Sequence, residues 1–281
     1  MMILATRSRI KKVIITIITL LIALFMFLPF FWMISASLKL PTKVFSYPID
    51  WFPANPQWKN FADTWNNQYT PFSRYFFNSL KITLASVAGS LLVNSMAAYA
   101  FAKLQFKGKN VIFLCYLATM MVPTQVTLIP RFMVMNWTHL TDTHWSLILP
   151  AVFNIIIIFM LRQFFMKIPN DIIESASIDG ASHAIIFLRI ILPMSVPALI
   201  SAGTLAFVHS WNDYMNPLIF INTEKLYTVT LGIQNYLNMD GQARYDLAMA
   251  ASVLSILPIM AFFLFTQKYY FEGMATSGLK E

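Results

Sequence analysis

Six long apolar runs separated by polar stretches organise this chain of 281 residues. The first, Val13 to Ile34, contains no charge and follows Arg7, Arg9, Lys11 and Lys12. A helix rises about 1.5 Å per residue and a bilayer core is about 30 Å thick, so roughly 20 residues cross it. The run is longer than the roughly 7–15 apolar residues of a signal peptide, and no A-x-A site follows, so a retained first span is expected. Further spans are expected at about 78–102, 110–129, 145–161, 190–211 and 247–265. The third contains Pro123 and Pro130, and a proline in lipid frees a carbonyl that neighbouring helices, hydroxyls or water must satisfy. Thr119, Thr124, Gln125 and Thr127 lie beside that break, where they line a polar path or bond to other helices. Ser35 to Tyr75, with five prolines and several tryptophans, reads as an extracytoplasmic loop at the membrane interface with a short helix near Trp58 to Trp65. Arg131 to His144 and Asn212 to Tyr245 read as further outer loops.

Composition agrees with the pattern. Hydrophobic residues make up 58% and charged residues 11%, against about 45–50% and 25% in soluble domains. The mean hydropathy is +0.62. The chain is therefore expected to be an all-α polytopic membrane protein of six transmembrane helices. Its formal net charge of +8 does not indicate nucleic acid, because Lys and Arg sit singly between apolar segments. The charge instead orients the spans. With the N-terminus inside, twelve of the 20 Lys and Arg are cytoplasmic, and the other eight fall mostly in two long outer loops. Residues 1–12, a loop at 167–189 and a tail at 271–281 are then cytoplasmic. The single cysteine, Cys115, excludes a disulfide framework.

Catalytic constellations are missing from the sequence. His139, His144, His183 and His209 are scattered, without an HExxH pattern or a cysteine partner. The segment Gly273 to Lys280 nearly matches a phosphate-binding loop, but Leu279 intervenes and no hydroxyl residue follows Lys280. No Asp, Glu, Lys or Arg falls in the middle of an expected span, which argues against a proton relay or a charged pore. Candidate substrate-path residues are Asn94, Thr119, Asn154, Trp211, Asn212, Asp213 and Tyr214, together with Asn216. An aromatic ring beside amide and carboxylate groups suits a sugar, although Trp211 and Tyr214 equally suit an interfacial anchor.

Between the fourth and fifth spans lies PNDIIESASIDGASHAIIFLRIILPMSVP, residues 169–197. Pro169 suits a first helical turn, and Asp171 with Glu174 has capping-box spacing, so a short helix is expected there. Ile172, Ile173 and Ala176 share one face, and Gly180 is expected to end or bend the helix. A helix this short needs something to pack on that apolar face.

Glu174, Ser175, Ala176, Gly180, Ile190, Leu192 and Pro193 carry a resemblance to E-A-A-x3-G-x9-I-x-L-P, the cytoplasmic loop of binding-protein-dependent ATP-driven (ABC) importer permeases. Ser175 replaces the first alanine, one small residue for another. Asn78-Ser79-Leu80, Ala98-Tyr99-Ala100, Phe106-Lys107-Gly108-Lys109, Trp211-Asn212-Asp213 and the tail are similar to the maltose-type carbohydrate branch, in particular its MalG-like half. The resemblance implies a type I ABC importer permease fold with six spans in a bacterial or archaeal inner or plasma membrane. It implies a second, non-identical permease, two ATPase subunits that hold ATP and Mg, and an extracytoplasmic solute-binding protein. This chain would itself bind no cofactor and would not be an enzyme. Asp171, Glu174, Ser175, Ala176, Asp179, Gly180 and Ala181 would couple to the ATPases, and Gly273, Ser277 and Gly278 of the tail would reach them. The substrate expected is a sugar or oligosaccharide. Permeases for polyols, glycerol phosphate, peptides or amino acids, and a stand-alone facilitator or channel, remain the alternatives.

Overall fold

The computed structural model describes residues 2–238 and 242–278; side chains are described for 11–237 and 242–268. In chain order the helices are α1 (Met2–Ser37), α2 (Lys59–Trp65), α3 (Phe72–Lys103), α4 (Lys109–Ala118), α5 (Thr124–Trp137), α6 (Trp145–Val152) and α7 (Ile155–Met166). They continue with α8 (Asn170–Ile178), α9 (His183–Ile186), α10 (Leu192–Met194), α11 (Val196–Trp211), α12 (Met215–Phe220), α13 (Val229–Gly232) and α14 (Tyr245–Gly278). Four stretches are long and apolar enough to cross a membrane: Lys11–Ser37, Phe72–Lys103, Trp145–Met166 and Tyr245–Lys268. Two bent pairs bring the number to six, Lys109–Met121 with Thr124–Trp137 at 102° and His183–Met194 with Val196–Trp211 at 83°.

Each apolar run therefore has its helical segment, but three expectations change. The third segment does not end at Ile129. Pro123 stands before α5 and Pro130 lies inside it, so the helix continues to Trp137 and the expected outer loop from Arg131 begins only at Thr138. A proline costs one hydrogen bond within a helix, and here the rest of the turn carries α5 through. The last helix runs past Phe265 to Gly278, so the expected tail is helical over most of its length, and residues 279–281 lie outside the described part. The fifth segment starts early, at His183, and passes through a five-residue π-helix at Phe187–Ile191 before Pro193 and the bend at Ser195.

The chain divides into two compact units, Met1–Phe72 with Ile233–Ser255, and Ser73–Gly232 with Ile256–Glu281. In the first, the side chains of residues 11–30 of α1 are exposed, as lipid or a neighbouring subunit would require. Polar groups hold the rest of this unit together. Asn60 Nδ2 donates to the carbonyls of Ser37 and Lys39 at 2.8 and 2.9 Å, which fastens α2 to the end of α1. Tyr236 is fully buried, with its hydroxyl 2.7 Å from the Thr70 carbonyl and 3.1 Å from that of Thr64. Burial pushes its pKa up to about 12. Arg244 grips the buried Asp246 with Nε and Nη2 at 3.0 and 2.8 Å, at the start of α14.

In the second unit the main core gathers Ile157, Ile158, Leu161 and Phe165 of α7, Ala98 and Tyr99 of α3, and Ile186, Ile191, Ala198 and Ala202 of the fifth segment. Gly89 of α3 lies so close to Val152 that an added Cβ would come within 2.7 Å of its side chain.

Tyr236→Phe should lower the thermal midpoint of the detergent-solubilised protein, since it leaves two buried carbonyls without their donor, at a cost of about 1–3 kcal/mol. Tyr47, 95% exposed, provides the control. Tyr47→Phe should leave the midpoint unchanged when both are measured by size-exclusion after heating.

Candidate solute cavity and coupling helix

A cavity of about 720 Å³ opens in the second unit between α5, α6, the end of α11 and the turn that follows it. This is the size at which small-molecule sites are found. The 102° break creates it, because the second limb of the third segment turns away and brings Thr124, Gln125 and Arg131 to the wall. Opposite stand His209, Asn212, Asp213, Tyr214 and Asn216. Arg131 Nη2 donates to Asn216 Oδ1 at 3.0 Å. Asn216 in turn donates to both oxygens of Asp213, from Nδ2 at 2.6 Å and from its backbone at 3.2 Å. The Arg131 guanidinium also lies 5.8 Å from the centre of the Phe220 ring. A charge in the middle of a helical limb was not expected here. Arg131 opens the stretch to His144, whose polarity reads as a loop until the backbone shows otherwise.

The other candidate path residues are divided by the structure. Asn212, Asp213 and Tyr214 line the cavity, as do Thr124 and Gln125 from the third segment. Trp211 does not. It is 2% exposed and packs on Phe76 and Phe207, with ring centres 5.6 and 5.9 Å away, so it is core and not solute contact. Asn94 and Asn154 are structural as well. The fourth segment breaks at Phe153, and Asn94 Nδ2 donates to the freed Val152 carbonyl at 3.0 Å while its Oδ1 accepts from the Asn154 backbone at 3.2 Å. Asn154 then caps α7 by accepting from Ile156 and Ile157. Thr119 lies in a separate hollow of about 350 Å³ lined by apolar side chains such as Val93, Ile112 and Phe153.

A polar clasp holds the turn after α12 in place. Asp142 accepts from the Thr223 hydroxyl at 2.6 Å, the Thr223 backbone at 2.8 Å and the Asn222 backbone at 2.9 Å. These hydrogen bonds, the Thr223 hydroxyl first, hold its carboxyl below the ordinary aspartate range. Tyr75 donates to Glu224 at 2.6 Å, and Asn78 donates to the carbonyls of Lys225 and Tyr227.

On the other side lies α8. It begins at Asn170 with Pro169 before it, and no side chain caps it, so the capping box expected from Asp171 and Glu174 is not formed. The helix starts two residues too early for that pattern: Asp171 sits inside the first turn, where its charge still opposes the helix dipole favourably. The C-terminus is as the glycine suggested. Gly180 has φ +82°, its N–H bonds to the Ser177 carbonyl and that of Ala181 to the Ala176 carbonyl, which is the Schellman arrangement. Ile173, Ala176 and Ala181 pack against the main core, whereas Asp171, Glu174, Ser175 and Asp179 are exposed. Ala176 therefore faces this chain, and not a partner that approaches from outside. The Ser175 hydroxyl folds back on the Asp171 carbonyl at 2.8 Å, so this residue behaves as a small one. Ile178 stands 86% exposed at the tip. Lys103 of α3 ties the segment down, donating to the Ile168 carbonyl at 2.6 Å and to Asn170 at 2.7 Å. Gly273, Ser277 and Gly278 fall on the last turns of α14, where only the backbone is described, and Lys280 lies outside the described part. Among the described residues, no three His, Cys, Asp or Glu side chains gather as a metal site would need.

Broken apolar helices around a polar cavity, with a short acidic helix held out between two of them, define a membrane transport component. The chain belongs to the family of binding-protein-dependent transport system inner membrane components, whose pattern matches residues 90–275. It is 32% identical to the arabinooligosaccharides transport system permease protein AraQ of Bacillus subtilis (strain 168), over 96% of each chain. It is 31% identical to the sn-glycerol-3-phosphate transport system permease protein UgpE of Pectobacterium atrosepticum, over 84% of this chain and 85% of that one. Its fold is similar to that of a bacterial ABC transporter involved in the import of the acidic polysaccharide alginate, with a TM-score of 0.81 at 21% identity over 93% and 97% of the two chains. A second solved alginate ABC transporter, in complex with an alginate pentasaccharide-bound periplasmic protein, gives a TM-score of 0.60 at 18% identity over 92% and 94%. The type I importer permease fold expected from the loop motif is thus the fold adopted.

The depressed Asp142 carboxyl sets a pH window. Its contribution is fully present above the unfolded aspartate pKa, near 4, and is lost as pH falls through the lower folded value. Tryptic cleavage after Lys225 should stay slow at neutral pH and become fast in Asp142→Ala. The same loosening should appear in the wild type only in strong acid, read by pepsin cleavage of this turn.

Proposed function

We propose that this chain is one of two non-identical permease subunits of an importer for a sugar or oligosaccharide, with both termini cytoplasmic. Two ATPase subunits dock from the cytoplasm on the loop 167–189, and an extracytoplasmic solute-binding protein delivers solute to the outer loops. ATP and Mg are held by the ATPases; this chain supplies half of the path. The observation that carries this reading is α8, which turns its acidic side and Ile178 outward while Ile173, Ala176 and Lys103 fasten it to the spans. A helix exposed on one side and welded on the other can receive a push and pass it on.

In this reading Asp171, Glu174, Ser175, Asp179 and Ile178 meet the ATPase cleft. Ala176, Gly180 and Ala181 shape and anchor the helix, and the turns at Gly273, Ser277 and Gly278 reach the ATPase pair. Sugar as the substrate is supported by the identity with the arabinooligosaccharide permease over nearly the whole chain and by the hydroxyl-matching side chains in the cavity.

Gly180 offers the sharpest test. An added Cβ there meets nothing within 4 Å, so a substitution acts through the left-handed backbone and not through a clash. In proteoliposomes with the complete importer, Gly180→Val should uncouple ATP hydrolysis from uptake, lowering solute-stimulated ATPase activity at least about tenfold, roughly the effect of the 1–2 kcal/mol strain. Gly180→Asn, which tolerates this conformation, should retain most of the coupling. Equal and full coupling in both variants would rule out the docking role.

A further inference from the structure

We propose that Arg131 and Asp213, held apart by Asn216, form a charge-balanced solute site that selects uncharged polyhydroxylated solutes over acidic, phosphorylated or amino sugars. The inference rests on the sugar-permease reading above and assigns the chemical class its cavity takes.

Opposite charges that line one cavity attract each other and can close into a direct ion pair. Here they do not. Among the described residues, neither Arg131 nor Asp213 makes a side-chain ion pair within 4.0 Å. Asn216 stands between the two groups, accepting from Arg131 at 3.0 Å and donating to Asp213 at 2.6 Å. Both ends are fixed by further contacts: Phe220 lies under the guanidinium, and the Thr230 hydroxyl donates to the Asp213 carbonyl at 2.6 Å.

The consequence is an arrangement of unused capacity. A guanidinium has five N–H groups, and among the described residues only one of those on Arg131 has an acceptor. The Asp213 carboxylate accepts twice from Asn216 and keeps lone pairs for further donors. A sugar hydroxyl both donates and accepts, so neighbouring hydroxyls can give a proton to Asp213 and take one from Arg131 while Asn216 keeps its bridge. Gln125, Asn212 and Tyr214 extend the same neutral hydrogen-bonding surface around the cavity. A phosphate or carboxylate gains from Arg131 but is opposed by Asp213 one amide away, and an ammonium group meets the reverse. Net charge is what the pair holds at zero.

The test uses the complete importer in nanodiscs, with saccharide binding measured by calorimetry. The probes are arabinotriose and maltotriose as neutral sugars, a galacturonic acid trimer as the anion and a glucosamine trimer as the cation. The wild type should bind a neutral trisaccharide and discriminate against both charged trimers. Asp213→Asn leaves a net positive site, and should shift the ratio of affinities toward the galacturonic acid trimer by about tenfold, of the order of one charge-assisted hydrogen bond. Arg131→Gln should shift it by a similar factor toward the glucosamine trimer. Arg131→Lys keeps the charge without the bridge, and should weaken neutral binding while still discriminating against the glucosamine trimer. Co-purification of the ATPase subunits with each variant reports assembly separately. If the assembled variants weaken all three classes by the same factor, the pair is a structural clamp and the proposal is overturned. If the wild type couples to its ATPases yet binds no saccharide of any charge, the sugar reading falls and the site falls with it.

Discussion

A backbone carbonyl or amide freed inside a bilayer has no water to turn to, and this chain frees several by breaking its helices. Side chains from other segments meet several of these groups, and the same device serves helix ends beyond the apolar runs. At the break in the fourth segment Asn94 takes both the Val152 carbonyl and the Asn154 amide. Where α3 ends, Arg162 Nε donates to the Phe101 carbonyl at 3.2 Å and Lys109 Nζ to that of Leu104 at 2.8 Å. Beyond α7, Lys103 serves the Ile168 carbonyl. The positions of these polar residues follow from the breaks, and the breaks in turn make the cavity and the loop that carries α8.

The basic residues at that end thus do two things at once. Their number carries the expected orientation of the spans, and three of them also tie helix ends together. Lys103 joins α3 to the start of α8, while Arg162 also lies 4.2 Å from the centre of the Phe113 ring. The Tyr99 hydroxyl is 3.4 Å from His183 Nδ1, at the start of α9. With Ile173, Ala176 and Ala181 packed on the core, the segment from α8 to the π-helix is part of the same body as α3 and α7. The π-helix and the 83° bend then follow where Pro193 withholds a donor and the fifth segment must change direction toward the cavity.

Much of this was legible in the chain. Apolar runs located all six segments, since a bilayer sets their length, and Gly180 marked a helix end because few other residues adopt φ +82° without strain. What the residues concealed has a common physical cause. A polar side chain within an apolar run has the same appearance whether it faces solute or serves a broken backbone 58 positions away, as Asn94 does for Val152. Trp211 seemed suited to stack on a sugar, and is instead enclosed by Phe76 and Phe207. Arg131 reads as the start of a loop because the stretch from it to His144 is polar. Helical periodicity put Ala176 on an apolar face correctly but could not say that this chain's own core would cover it.

The account depends on the docking helix and the spans moving as one body. Paired spin labels at Ser175 on α8 and Gln163 on α7, both exposed, measure this directly by electron double resonance, with Cys115 replaced so that only the introduced cysteines carry label. In the complete importer the distance between them should remain the same in nucleotide-free, ATP-bound and vanadate-trapped states, even as the transporter turns over. A distance that changes with nucleotide would mean that α8 moves independently of the core, and would contradict the rigid coupling inferred from Lys103, Ile173 and Ala176.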